Sequence, residues 1–287
     1  MKKNDKAVNT RASVQGALYE PPGPKTRRMI RIATAVSLVL IAWLLYEVIR
    51  RFYETGQLDS RYWSLFTKKT TWRFIGAGLV GTMEVAAAAG CITFAVAFIL
   101  MLMRISGNKI LGAIGTALIE FTRGVPTLLF IYFFFLVVPK FGIKLPAFWK
   151  ICLPVSISAC GVVAEVLRSG VNAVSKGQKE AALAIGLRPY QAFFKVIFPQ
   201  AFRYVLPALI AELVIVVKDT TFAYVVNFPD LMQNAKVLIS NYDALLSVYL
   251  VVAVIYILIN WLLNRASVAV ANRESRIFAQ PEAAGGK

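Results

Sequence analysis

Six long apolar segments, separated by shorter polar stretches, constrain this chain more than any other feature of its sequence. The longest uncharged run, Ala244 to Asn264, is long enough to cross a hydrocarbon layer of about 30 Å as a helix. The segments lie at about 32–49, 74–103, 112–138, 148–172, 200–227 and 244–266. The sequence therefore predicts an all-α membrane protein with about six transmembrane helices, the third of them bent near Gly124 and Pro126.

Composition narrows the classes of function. Hydrophobic residues make up 58% of the chain and charged residues only 16%, which is typical of a membrane protein. The chain has no His, and its three Cys lie in apolar segments, so we expect no metal site and no disulfide. In a soluble protein the net charge of +17 would suggest nucleic acid as a partner. In a membrane protein, basic loops on the cytoplasmic side explain the same charge, and we expect no nucleic-acid partner.

The distribution of Lys and Arg predicts the orientation of the chain. With both termini inside, the inner segments carry roughly twice as many Lys and Arg residues as the outer ones. The basic stretch 50–73, which this arrangement places outside, weakens the bias. We predict a multi-pass protein with N- and C-termini in the cytoplasm, and this orientation also places the segment 176–199 there.

That segment, 176–199, is polar, contains Gly and Pro, and lies between two long apolar segments. Residues 180–185 are good helix formers, and Gly186 stands where a helix would end in a left-handed turn. Pro189 can open a second short helix because the first turn needs no N–H at that position. Two alanines give the first helix a thin surface that a groove on a partner could grip. The alternative is an ordinary amphipathic loop.

The spacing of these residues follows the pattern E-A-A-x3-G-x9-I-x-L-P. In this respect the segment resembles the cytoplasmic coupling loop of binding-protein-dependent ABC importer permeases. Val196 and Phe198 replace the Ile and Leu of the pattern. The resemblance implies the type I ABC importer permease fold and a role in contacting an ATPase for Glu180, Ala181, Ala182 and Gly186.

Three further elements resemble the polar amino-acid uptake branch of the same family, over about residues 74 to 270. The first matches E-x-x-R-G-[TV]-P, the second A-E-x-x-R-G-G-[IV] with a Ser in place of a Gly, and the third K-D-T-S with Thr221 in place of the Ser. They begin at Glu120, Ala164 and Lys218. The resemblance implies several partners: a dimer of ABC ATPase subunits, a second permease that is a copy or a sister chain, and an extracellular or periplasmic amino-acid-binding protein. It also implies the plasma membrane of a bacterium.

The resemblance further implies that this chain is not itself an enzyme. It contains no G-x-x-x-x-G-K-[ST] phosphate-binding loop, so we expect ATP to bind a partner subunit and no cofactor to bind here. We divide the chain into a disordered basic tail (1–30), an additional helix with an external segment (31–73), the permease domain (74–271) and a second tail (272–287). The additional helix, residues 18–24 and residues 55–59 resemble glutamate-uptake permeases of actinobacteria, which makes glutamate the leading substrate.

Ionisable side chains at membrane depth are candidates for function, because they cost several kcal/mol unless they are paired or hydrated. Glu120 with Arg123, and Glu165 with Arg168, are three residues apart and can form simple ion pairs. Glu84 and Glu212 have no obvious partner nearby, and we expect both to point into the helix bundle. The family usually has Asn or Gln at position 212. The candidate substrate path consists of Arg123, Glu212, Lys218, Asp219 and Thr220.

Two other classes of protein remain open from the sequence. The first is a secondary amino-acid transporter driven by an ion gradient, and the second is a membrane enzyme. The absence of His disfavours the enzyme, and the absence of a clear internal repeat disfavours an inverted-repeat transporter. Dependence of uptake on a separate ATPase would distinguish an ABC importer from a secondary transporter.

Overall fold

A computed structural model describes residues 23–279 of the chain. The predicted tails at 1–22 and 280–287 lie outside the described residues. The chain divides into two units, residues 1–59 and 60–287, and each unit is described by itself.

Helix α1, Pro24–Glu54, makes up most of the described part of the first unit. It begins directly at a proline, which fits the first turn because no N–H is needed there. It starts before the predicted span at 32–49, so residues 24–30, which the sequence assigned to the tail, are helical. Near its end the carboxylate of Glu47 pairs with Arg50 at 2.9 Å. The helix is long and apolar enough to cross a membrane.

The second unit contains nine further α-helices among the residues that the structure describes. Short 3₁₀ turns at 60–62 and 64–67 precede them. The helices are α2 Lys69–Ile105, α3 Lys109–Gly124, α4 Thr127–Tyr132, α5 Ala147–Ala173, α6 Lys176–Ala184, α7 Pro189–Ala192, α8 Phe198–Asp219, α9 Leu231–Tyr242 and α10 Leu245–Ala279. A π-helical turn at 133–137 follows α4, another at 193–197 follows α7, and a 3₁₀ segment at 220–226 follows α8.

The prediction of about six transmembrane helices is confirmed. Five helical segments of the described chain are long and apolar enough to cross a membrane, and a bent pair, Lys109–Gly124 with Thr127–Phe141, raises the number to six. The two halves of this pair meet at 95°. The bend lies where the sequence predicted it: Val125 is extended, as a residue before a proline prefers to be, and Pro126 has no N–H to continue the helix.

Helix α5 is the centre of the second unit and packs against α2, α3, α4 and α8. Small residues allow this close approach. A Cβ added at Gly161 would lie 2.8 Å from the carbonyl oxygen of Ile119 on α3, and one added at Gly170 would lie 2.8 Å from that of Ala201 on α8. Lipid is as apolar as the helix surface, so close van der Waals packing of this kind stabilises the bundle.

Helix α9 is an element that the sequence analysis missed. It lies in the segment between the fifth and sixth spans, which the sequence assigned only to an external loop. Its signals were nevertheless present. Asp230 caps its N-terminus by accepting a hydrogen bond from the N–H of Gln233, and the buried residues Leu231, Ala235 and Leu238 follow a helical spacing.

Candidate functional site

The loop between α5 and α8 forms two short helices joined by a tight left-handed turn. Helix α6 ends before Gly186, whose φ is +84°. The N–H of Gly186 donates to the carbonyl of Leu183 at 3.0 Å, and that of Leu187 donates to the carbonyl of Ala182 at 3.2 Å. These are the two bonds of a Schellman turn. The predictions that Gly186 is left-handed and that Pro189 opens a second helix are confirmed.

The predicted contact residues of this loop do not all face outward. Glu180, Ala181 and Gly186 are exposed, whereas Ala182 is only 3% exposed and packs against its own chain. If Ala182 contributes to a partner contact, it does so by seating α6 rather than by touching the partner. The assignment of all four residues to ATPase coupling stays a prediction.

Apolar side chains missed by the sequence analysis surround the turn. Leu183 and Ile185 precede Gly186 and are 39% and 78% exposed, and Tyr190 follows it at 57%. Their presence on a polar loop gives it an apolar outer face of the kind that marks a protein interface. The sequence signal was available, because these residues lie beside the motif that the analysis used.

The loop is tied to the membrane-crossing helices on both sides. The side chain of Gln200 on α8 donates to Gln178 Oε1 on α6 at 3.2 Å. Val174, Ile197 and Ala201 are buried together in one apolar cluster. A displacement of α6 would therefore be passed to the ends of α5 and α8.

A charged cluster joins α2 and α5 near the same loop. Glu165 Oε2 accepts hydrogen bonds from Arg168 at 2.8 and 3.0 Å, and its other oxygen pairs with Arg104 of α2. The sequence predicted the pair within α5 but missed Arg104, which lies 61 residues away along the chain. The predicted pair of Arg123 with Glu120 also forms, at 3.4 Å and on an exposed surface.

Asp219 lies at the end of α8 and contacts the bend of the third span. Its Oδ2 accepts a hydrogen bond from the hydroxyl of Thr127 at 2.9 Å, and that hydroxyl shares another with Ser158 of α5 at 2.8 Å. Its neighbours differ: Lys218 is exposed, and Thr220 is fully buried with its hydroxyl donating to the carbonyl of Val217. The cluster joins three spans, at the bend of the third span and at the point where α8 is followed by a 3₁₀ segment.

A cavity of about 620 Å³ lies between α2, α5 and α8. Glu212 is half-buried and, in the described part of the chain, is the one charged residue that lines it; the rest of the wall is mostly apolar. Of the five candidate path residues, only Glu212 lines this cavity. Glu84 is exposed, so the prediction that it points into the bundle is wrong for this chain. The remaining lining residues are Ala87, Gly90, Cys91, Thr93, Phe94, Val163, Leu209, Leu213 and Val216.

The family model of the binding-protein-dependent transport system inner membrane component matches residues 94–276, which include the loop, the charged cluster and most of the residues that line the cavity. The chain belongs to this family. It is a polar amino-acid ABC importer permease, as the resemblance in the sequence predicted.

Individual relatives agree with this assignment. The permease is 33% identical over 225 residues to the glutamate transport system permease protein GluD of Corynebacterium glutamicum, covering 77% of this chain and 81% of the relative. It is 31% identical over 164 residues to the arginine transport system permease protein ArtQ of Bacillus subtilis, covering 56% and 74%. Other relatives in Bacillus subtilis are named for glutamine and for L-cystine. These relatives are transport subunits rather than enzymes.

A solved structure supports the fold of the permease. The chain superposes on an amino acid ABC transporter crystallised with histidines with a TM-score of 0.67 and 27% identity, covering 73% of this chain and 98% of that one. The type I permease fold predicted from the coupling loop is therefore confirmed. The membrane-crossing helices and the family together identify a multi-pass inner-membrane protein.

Proposed function

We propose that this permease moves glutamate across the membrane in an importer powered by a separate pair of ATPase subunits. The observation that carries the ATPase part is the exposed face of the coupling loop, with Gly186 at its turn and Ile185 beside it. A partner groove that pulls on this face would move α5 and α8, to which the loop is tied. A second permease subunit and an amino-acid-binding protein complete the proposed assembly.

In the proposed orientation the coupling loop and both termini face the cytoplasm. One candidate span, residues 189–226, separates the coupling loop from α9, and the proposal puts the two on opposite sides of the membrane. The binding protein would then deliver its amino acid on the side that carries α9. ATP closing the ATPase pair would open the path on that side and close it on the other.

Glutamate is supported by the similarity to the glutamate permease of Corynebacterium glutamicum. Arg123 and Lys218 are both exposed and are candidates for brief contacts with its carboxylates. We expect such contacts to be weak, because a tight site within the path would trap the substrate. Asp219 is held by Thr127 and Thr220 is buried, so any contact they make with substrate would need a different conformation.

Glu212 favours a second candidate, a cationic amino acid. A carboxylate in an apolar cavity attracts the ammonium of any amino acid, but it repels the side chain of glutamate and attracts that of arginine. The relative from Bacillus subtilis named for arginine transport fits this alternative.

Reconstitution of the complete importer in proteoliposomes tests both proposals. We expect uptake of radiolabelled glutamate to require ATP hydrolysis and to persist when ion gradients are dissipated. Uptake that follows an ion gradient without ATP would overturn the ABC mechanism and favour a secondary transporter.

Glu212→Gln then tests the substrate. With the same binding protein in every assay, we expect glutamate uptake to be kept or raised, because the repulsion is removed. Glu84→Gln is the matched control, since Glu84 is exposed and does not line the cavity. Arginine uptake that exceeds glutamate uptake and collapses in Glu212→Gln alone would replace glutamate by the cationic substrate.

A further inference from the structure

The start of α9 lies directly against the backbone of α2, in a groove formed by two glycines. A Cβ added at Gly81 would lie 2.6 Å from the carbonyl oxygen of Pro229, and one added at Gly78 would lie 2.8 Å from that of Asp230. The side chain of Asn234 donates to the carbonyl of Phe74 on α2 at 2.8 Å. A residue with a Cβ would clash with the backbone before α9, so the docking of α9 requires glycine at both positions.

Helix α9 also packs on α10. Leu231, Ala235 and Leu238 are buried in one cluster with Val248 and Val252 of α10. The docked helix therefore holds the ends of α2 and α10 together on the side of the membrane opposite the coupling loop. If α9 left its groove, the ends of α2 and α10 would lose the packing that holds them together on this side.

A buried acid lies at the centre of the docking contact. Asp230 is 0% exposed; its Oδ1 caps α9 by accepting from the N–H of Gln233 at 2.7 Å, but its Oδ2 is buried without a hydrogen bond to any residue that the structure describes. Tyr256 of α10 faces it, and the Tyr256 hydroxyl is buried beside Thr82. Thr82 of α2 completes the cluster by accepting from the N–H of Leu231 at 3.0 Å.

This environment disfavours the charged carboxylate. A buried charge with one unsatisfied oxygen is costly, and a proton on Oδ2 removes the charge while adding a donor that can reach for the Tyr256 hydroxyl. Burial raises the pKa of Asp230 to about 6, although the hydrogen bonds that the carboxyl accepts from backbone N–H groups act to lower it. The titratable group facing it is Tyr256, and Thr82 faces it from α2. The cation of α9, Lys236, lies over the ring of Tyr224 instead.

We propose that Asp230, with Thr82 and Tyr256, is a proton-binding site that links the docking of α9 to the pH on its side of the membrane. Protonation strengthens docking, and ionisation weakens it. The site does not depend on which amino acid the permease carries, so its failure and the failure of the proposed function are distinguishable.

The direction and the size of the pH effect on docking follow from the linkage between proton binding and docking. We take the ordinary Asp pKa of about 3.8 for the solvated carboxyl of undocked α9, whereas burial in docked α9 raises the pKa to about 6, so the docked form binds more protons between these values. Docking is therefore strengthened as the pH falls towards 4 and weakened as it rises through 6, with little change above that. Between pH 7.5 and pH 5 the docking constant should rise about 10-fold.

Hydrogen–deuterium exchange on the purified permease in lipid nanodiscs tests the proposal. After correction for intrinsic exchange, we expect the protection of residues 231–242 to be about 10-fold greater at pH 5 than at pH 7.5. In Asp230→Asn, whose neutral amide imitates the protonated acid, protection should be the same at both pH values and near the acid level. Equal protection of the wild-type helix at both pH values would overturn the proposal.

Asp243→Asn is the matched control. Asp243 ends the same helix, is exposed and has a φ of +53°, a conformation that Asn accepts. We expect this variant to keep the full pH response, and loss of the response here would also contradict the proposal. If Asp230→Asn does not fold, Tyr256→Phe replaces it: the protonated acid loses its acceptor, so the gain in protection at pH 5 should shrink.

Infrared difference spectroscopy gives an independent readout. The carbonyl stretch of a protonated carboxylic acid should be present at pH 5, absent at pH 7.5, unchanged in Asp243→Asn and missing in Asp230→Asn. Replacing sodium by choline should not alter the protection. A response to sodium rather than to pH would mean that the cluster binds a metal cation, and the proton site would be wrong.

Discussion

The left-handed turn at Gly186 allows the coupling loop to be tested by substitutions that change backbone preference and little else. Among the residues 23–279 that the structure describes, a Cβ at this position meets no other atom within 4 Å, so a substitution causes no clash with them. The φ of +84° is the only obstacle. A residue with a Cβ costs about 1–2 kcal/mol in this conformation, which lowers the equilibrium constant for forming the turn about 5- to 30-fold.

A series of substitutions separates strain from size. Gly186→Ala adds one methyl group and should weaken coupling, and Gly186→Val should weaken it further because it is β-branched. Gly186→Asn should lie between wild type and Gly186→Ala, since Asn tolerates the left-handed region. Gly177→Ala is the control: Gly177 is exposed within α6, has open space around it and has ordinary backbone angles.

The assay is ATP-dependent uptake in proteoliposomes that contain the complete importer, together with ATP hydrolysis by the partner subunits. We expect uptake to fall in the strained variants by up to about 5- to 30-fold, the factor by which the equilibrium constant for forming the turn falls. Insertion into the membrane and thermal unfolding of the transmembrane helices should stay normal. Wild-type uptake in Gly186→Val, or an equal loss in Gly177→Ala, would refute the reasoning.

Three other predictions follow from the charged and polar contacts. Glu165→Gln leaves two arginines without their partner and should lower the free energy of unfolding by about 1–2 kcal/mol. Glu120→Gln breaks an exposed pair and should lower the free energy of unfolding by less than about 0.5 kcal/mol. Equal effects of the two variants would contradict this prediction. Asp219→Ala and Thr127→Val should be non-additive by about 1 kcal/mol in a double-mutant cycle of unfolding, and additivity would show that their hydrogen bond is not formed. Reporters fused after residues 107 and 183 should read inside and one after 142 outside; a reversed signal at 183 would contradict the proposed orientation.

Much of this fold was predictable because the membrane restricts the choices. Apolar segments long enough to cross a bilayer become helices, so their number and approximate positions followed from the sequence. The bend after Gly124 followed from a single proline, and the Gly186 turn followed from a glycine at the end of a run of helix formers. Each of these depends on residues that are neighbours in the chain.

The candidate site was less predictable, because burial and pairing depend on residues far apart in sequence. Nothing near Ala182 indicates that it faces inward, whereas Ile185 three residues later faces out. The sequence paired Glu165 with Arg168 but could not know that Arg104 would meet it from another helix. It also grouped Asp219 with Lys218, although only Asp219 contacts the bend of the third span.

The sequence by itself determined the class of protein, the spans, the shape of the coupling loop and the family, since these rest on local conformation and on spacing along the chain. Only the tertiary structure decided that Glu212 lines a cavity while Glu84 does not, and that a buried acid at Asp230 lies between α2 and α10. The physical reason is that a side chain's solvation and partners are set by the helices packed around it. Those helices come from segments as distant as Thr82 and Tyr256.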